Sequence, residues 1–159
     1  MREAIGGTWL FGLVITFIVF FASFLAVSIN YSKAFHVKNN VVDLISKYEG
    51  NNCKARKKIS EYLKTSGALV TGKCPSLEDN KSEYIGYNLA GENVGTGKDA
   101  YYCIAVDETD SNSNMNKKFY RVIVFYKIDL PVLGNIATFK IKGETETIIY
   151  PKDDIITSC

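Results

Sequence analysis

Between Ile5 and Ile29 the chain runs 25 residues without one charged side chain. About 20 apolar residues are enough to cross a bilayer as a helix, so this stretch spans with some tilt to spare. It therefore constrains the fold more than any other feature: whatever follows must be built beside a membrane. A secretory signal peptide is the competing reading, because Ala26 and Ser28 offer small residues for a cut after Ser28. The apolar stretch is longer than the usual 7–15 residues of such a signal, and Glu3 offsets Arg2 ahead of it. Retention is the expectation.

The helical pattern does not stop where the apolar run stops. Val27, Ala34, Val37, Val41, Leu44 and Tyr48 lie on one line, the last five at alternating steps of three and four. That is the stripe of an amphipathic helix. Lys33, Lys38, Asp43 and Lys47 fall off it, and the first proline is Pro75. One helix from about Glu3 to Glu49 is expected, roughly 70 Å long at 1.5 Å per residue, with Gly50 as its stop. The expected divisions are 1–7 as a short leader or cytoplasmic tail and 8–29 as the membrane-spanning half of the helix. Residues 30–50 form its amphipathic half, and 51–159 an extracytoplasmic domain.

Compartment follows from the cysteines. Cys53, Cys74, Cys103 and Cys159 all lie beyond the apolar run, and none forms a C-x-x-C pair. The only histidine is His36, so a zinc site would need four distant thiolates, and no metal or other cofactor is expected. Two disulfides in an oxidising compartment fit better. Three pairings exist and the sequence does not choose among them; Cys74 with Cys103 and Cys53 with Cys159 is the expectation. A positive-inside count points the other way, with Arg2 before the span and Lys33, Lys38 and Lys47 after it. A tail of a few residues is a weak basis for such a count, so the cysteines carry the orientation.

The remainder reads as a small α+β domain. "CKARKKISEYLKTSG" sets Ile59, Tyr62 and Leu63 on one side of a short helix ending at Gly67. An antiparallel sheet of about four to five strands follows, with candidates at "ALVTG", "EYIGYNL", "AYYCIAV", "KFYRVIVFYKIDL" and "ATFKIKGETETIIY". In the last of these Gly143 is a candidate bulge, and the residues from Leu130 to Asn135 read as an apolar connecting loop. Helices first and strands after is an α+β order.

Chemical motifs dissolve on inspection. "GENVGTGKDA" has the wrong spacing for a phosphate loop, and Asp99 stands where Ser or Thr is required. "DSNSNM" starts like a calcium loop but puts Met115 where Gly is needed and Arg121 where the bidentate Glu belongs. No nucleophile has an evident base, so no enzyme is expected. Net charge of +2 excludes an electrostatic case for nucleic acid.

A short leader, then Gly6-Gly7, then an uninterrupted apolar helix entering a disulfide-stapled α+β domain resembles the type IV pilin superfamily. Within it the chain is most similar to the TadE-like minor pseudopilins of the tight-adherence (Tad) system. The segment "VIVFYKIDLPVLGNIATFKIKGETETII" resembles the C-terminal half of those domains, where a strand enters a Leu-Pro-rich loop and then a last strand. The resemblance implies a prepilin peptidase acting at Gly6-Gly7-Thr8. It also implies a helix that bundles with other pilin-like subunits in a bacterial membrane, and a domain displayed outside in a surface filament or secretion machine. Such pilins carry Glu at the fifth mature position, whereas no Glu lies between Glu3 and Glu49 here, which fits a minor or priming subunit better than a major one. From a different class, a membrane-anchored extracellular domain could bind a ligand through an aromatic sheet face bearing Tyr101, Tyr102, Phe119, Tyr120, Phe125 and Tyr126.

Overall fold

The computed structural model describes residues 2–67, 70–76, 82–109, 115–130 and 134–151. Helix α1 (Arg2–Lys47) passes from the apolar run into the amphipathic stretch without a break, as its unbroken pattern of helix-compatible residues dictates. Its end is a Schellman turn: the Gly50 N–H donates to the Ile45 carbonyl at 2.8 Å and the Glu49 N–H to the Ser46 carbonyl at 3.1 Å. The left-handed position of that turn falls on Glu49, with φ of 55°, one residue before the expected stop at Gly50. A Cβ in that conformation is strained. Glu49→Gly is expected to stabilise the domain by about 0.5–1 kcal/mol, seen as a rise of roughly 2–6 °C in the thermal midpoint.

Helix α2 (Cys53–Ser66) is started by Asn52, whose Oδ1 accepts the Ala55 N–H at 2.8 Å. The same side chain donates from Nδ2 to the Tyr48 carbonyl at 2.6 Å, so one residue closes α1 and opens α2. Further along, Asn40 Nδ2 donates to the Tyr62 hydroxyl at 2.9 Å. Contacts at 48/52 and at 40/62 mean that α2 runs back antiparallel to α1.

The strands are β1 (Gly72–Lys73), β2 (Ile85–Tyr87), β3 (Asn93–Gly95), β4 (Asp99–Ala100), β5 (Tyr102–Thr109), β6 (Met115–Leu130), β7 (Gly134–Glu144) and β8 (Ile148–Pro151). Six form one antiparallel sheet in the order β3-β2-β5-β6-β7, with β8 also on β6; β1 and β4 form a two-stranded ribbon. The α+β class stands, with more strands than the four or five expected. β6 is the spine, being 16 residues long and rich in β-branched and aromatic side chains.

Alternation along the strands makes two cores. Tyr87, Tyr102, Ile104, Tyr120, Val122 and Val124 face the helices and meet Val37, Val41, Ile45, Ile59 and Leu63. The opposite face carries Tyr84, Cys103, Ala105, Ile123 and Phe125, packed with Cys74 and Ala100 from the ribbon side.

Three readings of the C-terminal strands are corrected. "ATFKIKGETETIIY" is two strands, not one. Between them Thr145 stands in for the ladder: its N–H donates to the Tyr120 carbonyl and its Oγ1 accepts the Tyr120 N–H, both at 2.9 Å. Gly143 is no bulge, since it pairs with Val122 in regular register and the irregularity lies at Ile128/Asp129. Glycine is needed there because α1 presses on it; an added Cβ would sit 2.9 Å from Lys38 Cδ and 3.0 Å from Val42 Cγ2. Finally, of the expected loop from Leu130 to Asn135, Leu130, Gly134 and Asn135 are paired strand residues, and 131–133 lie outside the described residues. Of "ALVTG", only Gly72 is in a strand; Ala68 and Leu69 lie outside the described residues.

Candidate functional site

The stripe expected to mediate assembly divides in two. Ala34, Val37 and Val41 are buried against the chain's own domain, Leu44 and Tyr48 are half-buried, and Val27 alone is exposed. Ile45, not Leu44, is the fully buried residue of that turn, because a 3.6-residue turn drifts away from a strict three-four stripe. The buried part of the face therefore serves intramolecular packing.

What remains bare is the apolar half. Trp9, Phe11, Phe17, Phe20 and Phe24 are each more than half exposed, Phe20 at 70%. Among the described residues α1 is the one helix long and apolar enough to span a bilayer, and none of that span is buried. A core helix of a water-soluble fold would be covered; this one is bare, which is consistent with a single-pass membrane anchor. Gly7 and Thr8 are exposed in its first turns, and Gly6-Gly7-Thr8 is helical throughout.

The bare half is sided. At 3.6 residues per turn, Gly12, Thr16, Val19, Ser23, Ala26 and Asn30, small residues apart from Val19 and Asn30, fall within about a quarter of the circumference, in line with Ala34, Val37 and Val41 below. The adjacent quarter carries Trp9, Leu13, Phe17, Phe20 and Phe24. Trp9, Gly12, Leu13, Thr16, Phe17 and Phe20 frame a shallow hollow at the border of the two, and a Cβ placed on Gly12 would touch nothing. The two hydroxyls on the small-residue line are satisfied within the helix, Thr16 Oγ1 donating to the Gly12 carbonyl at 2.9 Å and Ser23 Oγ to the Val19 carbonyl at 2.8 Å. Small residues with satisfied hydroxyls let two apolar helices approach closely.

The polar and cysteine side chains singled out in the sequence take these places among the described residues. Cys74, in the loop after β1, is joined to Cys103 of β5 with 5.8 Å between Cα atoms. Cys53 is also disulfide-bonded; its expected partner, Cys159, lies outside the described residues. His36 is exposed on α1. "GENVGTGKDA" becomes β3, a turn and β4, not a strand entering a helix. Of the calcium-like segment, 110–114 lies outside the described residues, and neighbouring Asp107 is engaged by Arg121, whose Nη2 donates to Oδ1 at 2.8 Å while Nε meets Oδ2. Among the described residues no three His, Cys, Asp or Glu side chains are grouped as a metal site. The aromatics expected on a sheet face are largely core: Tyr102, Tyr120 and Phe125 are buried, and Tyr101, Phe119 and Tyr126 half-buried.

Two polar arrangements fix this domain rather than react. Tyr102 and Tyr87 stack with ring centres 5.3 Å apart, Asn51 Nδ2 donates to the Tyr87 hydroxyl at 2.7 Å, and the Arg56 guanidinium lies 5.5 Å from the Tyr87 ring. Burial pushes the Tyr102 phenol far above its ordinary value, so it stays neutral. At Asp107, burial pushes the carboxyl up, but hydrogen bonds from Arg121 and Ser82 outweigh it and hold it below the usual range. A lowered carboxylate contributes stability that is full above its unfolded pKa of about 4 and is lost as the pH falls through the folded value. Asp107→Asn is therefore expected to lower the urea midpoint at pH 7 and to flatten its decline between pH 5 and pH 2.

Sequence reasoning missed the Asp107–Arg121 pair, since only the β5–β6 register brings together residues 14 apart. It also missed the sidedness of the apolar half, which was legible in the 3.6-residue spacing of Gly12, Thr16, Ser23 and Asn30. Compared with protein-family models, with curated proteins and with solved structures, the chain finds no match in any of the three.

Proposed function

We propose that the protein is a single-pass membrane subunit that works by association. α1 anchors it and packs against the helices of other pilin-like subunits, while the disulfide-bonded domain stands on the extracellular side. The observation that carries this reading is the bare, sided half of α1: nothing among the described residues covers it, and its small-residue line suits a close helix neighbour. A parallel neighbour seated on that line would meet this chain's own sheet from Ala34 onward. It must therefore cross α1 or sit shifted along its axis, as subunits of a helical filament do. The Cys74–Cys103 bridge supports an oxidising compartment for the domain. Gly6-Gly7-Thr8 is the candidate leader-peptidase site. The missing Glu assigns a minor or priming role, because the apolar part of α1 offers no ionisable group for a neighbour's N-terminus.

Gly12→Leu with Thr16→Leu tests it. The pair fills the hollow while keeping the span apolar, so membrane fractionation is expected to be unchanged. Co-purification of partner subunits from native membranes is expected to fall by about tenfold, since the lost packing is worth on the order of 1–2 kcal/mol. Val14→Leu, off that line, is the control. Unchanged recovery of partners would contradict the proposal and favour an anchored binding domain.

A further inference from the structure

Above the span α1 does not turn polar at once. Tyr31 and Phe35 remain exposed, at 64% and 46%, on the same quarter of the helix as Phe17 and Phe20. The Lys38 ammonium lies 3.9 Å from the centre of the Phe35 ring. Lys33 is exposed on another side, and α1 carries no acidic residue between Glu3 and Asp43. α2 adds to this band. It runs back antiparallel to α1, tied at Asn52–Tyr48 and at Asn40–Tyr62, so its last turn, with exposed Lys64, points toward the span. Glu61, the acidic residue of α2, is taken up by Lys58 at 2.8 Å.

The heights put Tyr31 inside a headgroup layer, Phe35 at its outer edge, and the Lys38 backbone about 13 Å beyond Ile29, from which the long side chain reaches down. At 1.5 Å per residue Tyr31 stands about 3 Å and Phe35 about 9 Å beyond Ile29. The polar layer on each side of the hydrocarbon is about 5–8 Å thick. Aromatic rings settle at that boundary, and lysine stems reach along apolar surface to place their charge among phosphates.

We infer that this band is a second membrane contact. Tyr31 seats near the acyl–headgroup boundary and Phe35 at the outer edge of the headgroup layer, and Lys33, Lys38 and Lys64 pair with phosphates of anionic lipids in the leaflet on the domain's side. The inference rests on α1 spanning the bilayer, and it fixes how close the domain is held to the surface.

The test uses the full chain with Trp9→Phe, which leaves no tryptophan, carrying either Phe35→Trp or Phe17→Trp. Both are reconstituted into phosphatidylcholine vesicles with and without phosphatidylglycerol, using lipids brominated near the headgroup for the first probe and in the acyl chain for the second. The Phe17→Trp probe is expected to be quenched equally in both compositions. The Phe35→Trp probe is expected to be quenched more strongly, by about twofold, where phosphatidylglycerol is present. Adding Lys33→Gln, Lys38→Gln and Lys64→Gln is expected to abolish that difference, since each surface lysine weights the docked state by about fivefold. A Phe35→Trp signal indifferent to phosphatidylglycerol, or unchanged by the three glutamines, overturns the inference while the span stands. An unquenched Phe17→Trp probe overturns the span and the inference together.

Discussion

Replacing Cys74 and Cys103 together with alanine is expected to destabilise the domain by about 3–4 kcal/mol. The bridge joins positions 29 residues apart, and closing a loop of that length in the unfolded chain is worth about 3.5 kcal/mol in the loop-entropy account. Packing adds to it, because both cysteines are buried in the cluster with Ala105, Ile123 and Phe125. The bridge also fastens the chain just after β1, whose Gly72 lies so near the Phe125 ring that no side chain fits between them. Without the tether the β1–β4 ribbon loses its anchor on that face. A domain of this size has about 5–15 kcal/mol in all, so the loss is a large fraction. Urea unfolding of the full chain in detergent would show it as a lower midpoint, and reductant acting on the unaltered chain, which also opens the bridge at Cys53, should lower it at least as far. A loss below about 1 kcal/mol would show that the sheet core holds the ribbon without help.

Gly86→Ala is expected to cost about 3 kcal/mol, at the upper end for overpacking a filled core. Gly86 sits in β2 opposite Cys103 and Gly95. An added Cβ would lie 2.8 Å from Ala100 Cβ, 2.9 Å from the Gly95 carbonyl oxygen and 3.0 Å from Cys74 Sγ. The first two are fixed by the backbone and the third by its disulfide, so none can swing aside. The two substitutions share the Cys74 sulfur and should not add. In a chain lacking the bridge, Gly86→Ala is expected to cost about 1 kcal/mol less, as the freed side of the cavity yields. Full additivity in the double-mutant cycle would mean that the clash is with backbone alone.

The sequence told most where one periodicity ran long enough to be read. α1 was legible because neither proline nor a break in pattern interrupts it, and α2 because Ile59, Tyr62 and Leu63 mark one face ahead of Gly67. β5 and β6 announced themselves through β-branched and aromatic runs. What the pattern could not show was how elements meet. Gly143 looked like a bulge because glycine in a strand has several uses, and only the approach of Lys38 and Val42 on α1 picks the right one. The break at Thr145 depends on a side chain replacing a ladder bond of β6, which alternation does not encode. β1 and β4 are two residues each, too short for any period. Nothing in the spacing of four cysteines chose among three pairings; Cys74 and Cys103 meet because the chain after β1 packs on the sheet face that carries Cys103 and Phe125. The stripe on α1 was visible, but whether it faced its own domain or a partner was not. Both demand the same apolar spacing, and the sheet claims its lower half.

If the bare half of α1 has a neighbour, photo-crosslinking in native membranes will capture it. A photoreactive residue placed at Thr16, on the small-residue line, is compared with one at Phe21, outside it. A protein adduct that contains another subunit's apolar helix is expected from position 16, with lipid adducts dominating from position 21. Lipid adducts alone from both positions would contradict it, and would leave α1 as an anchor with no partner in the bilayer.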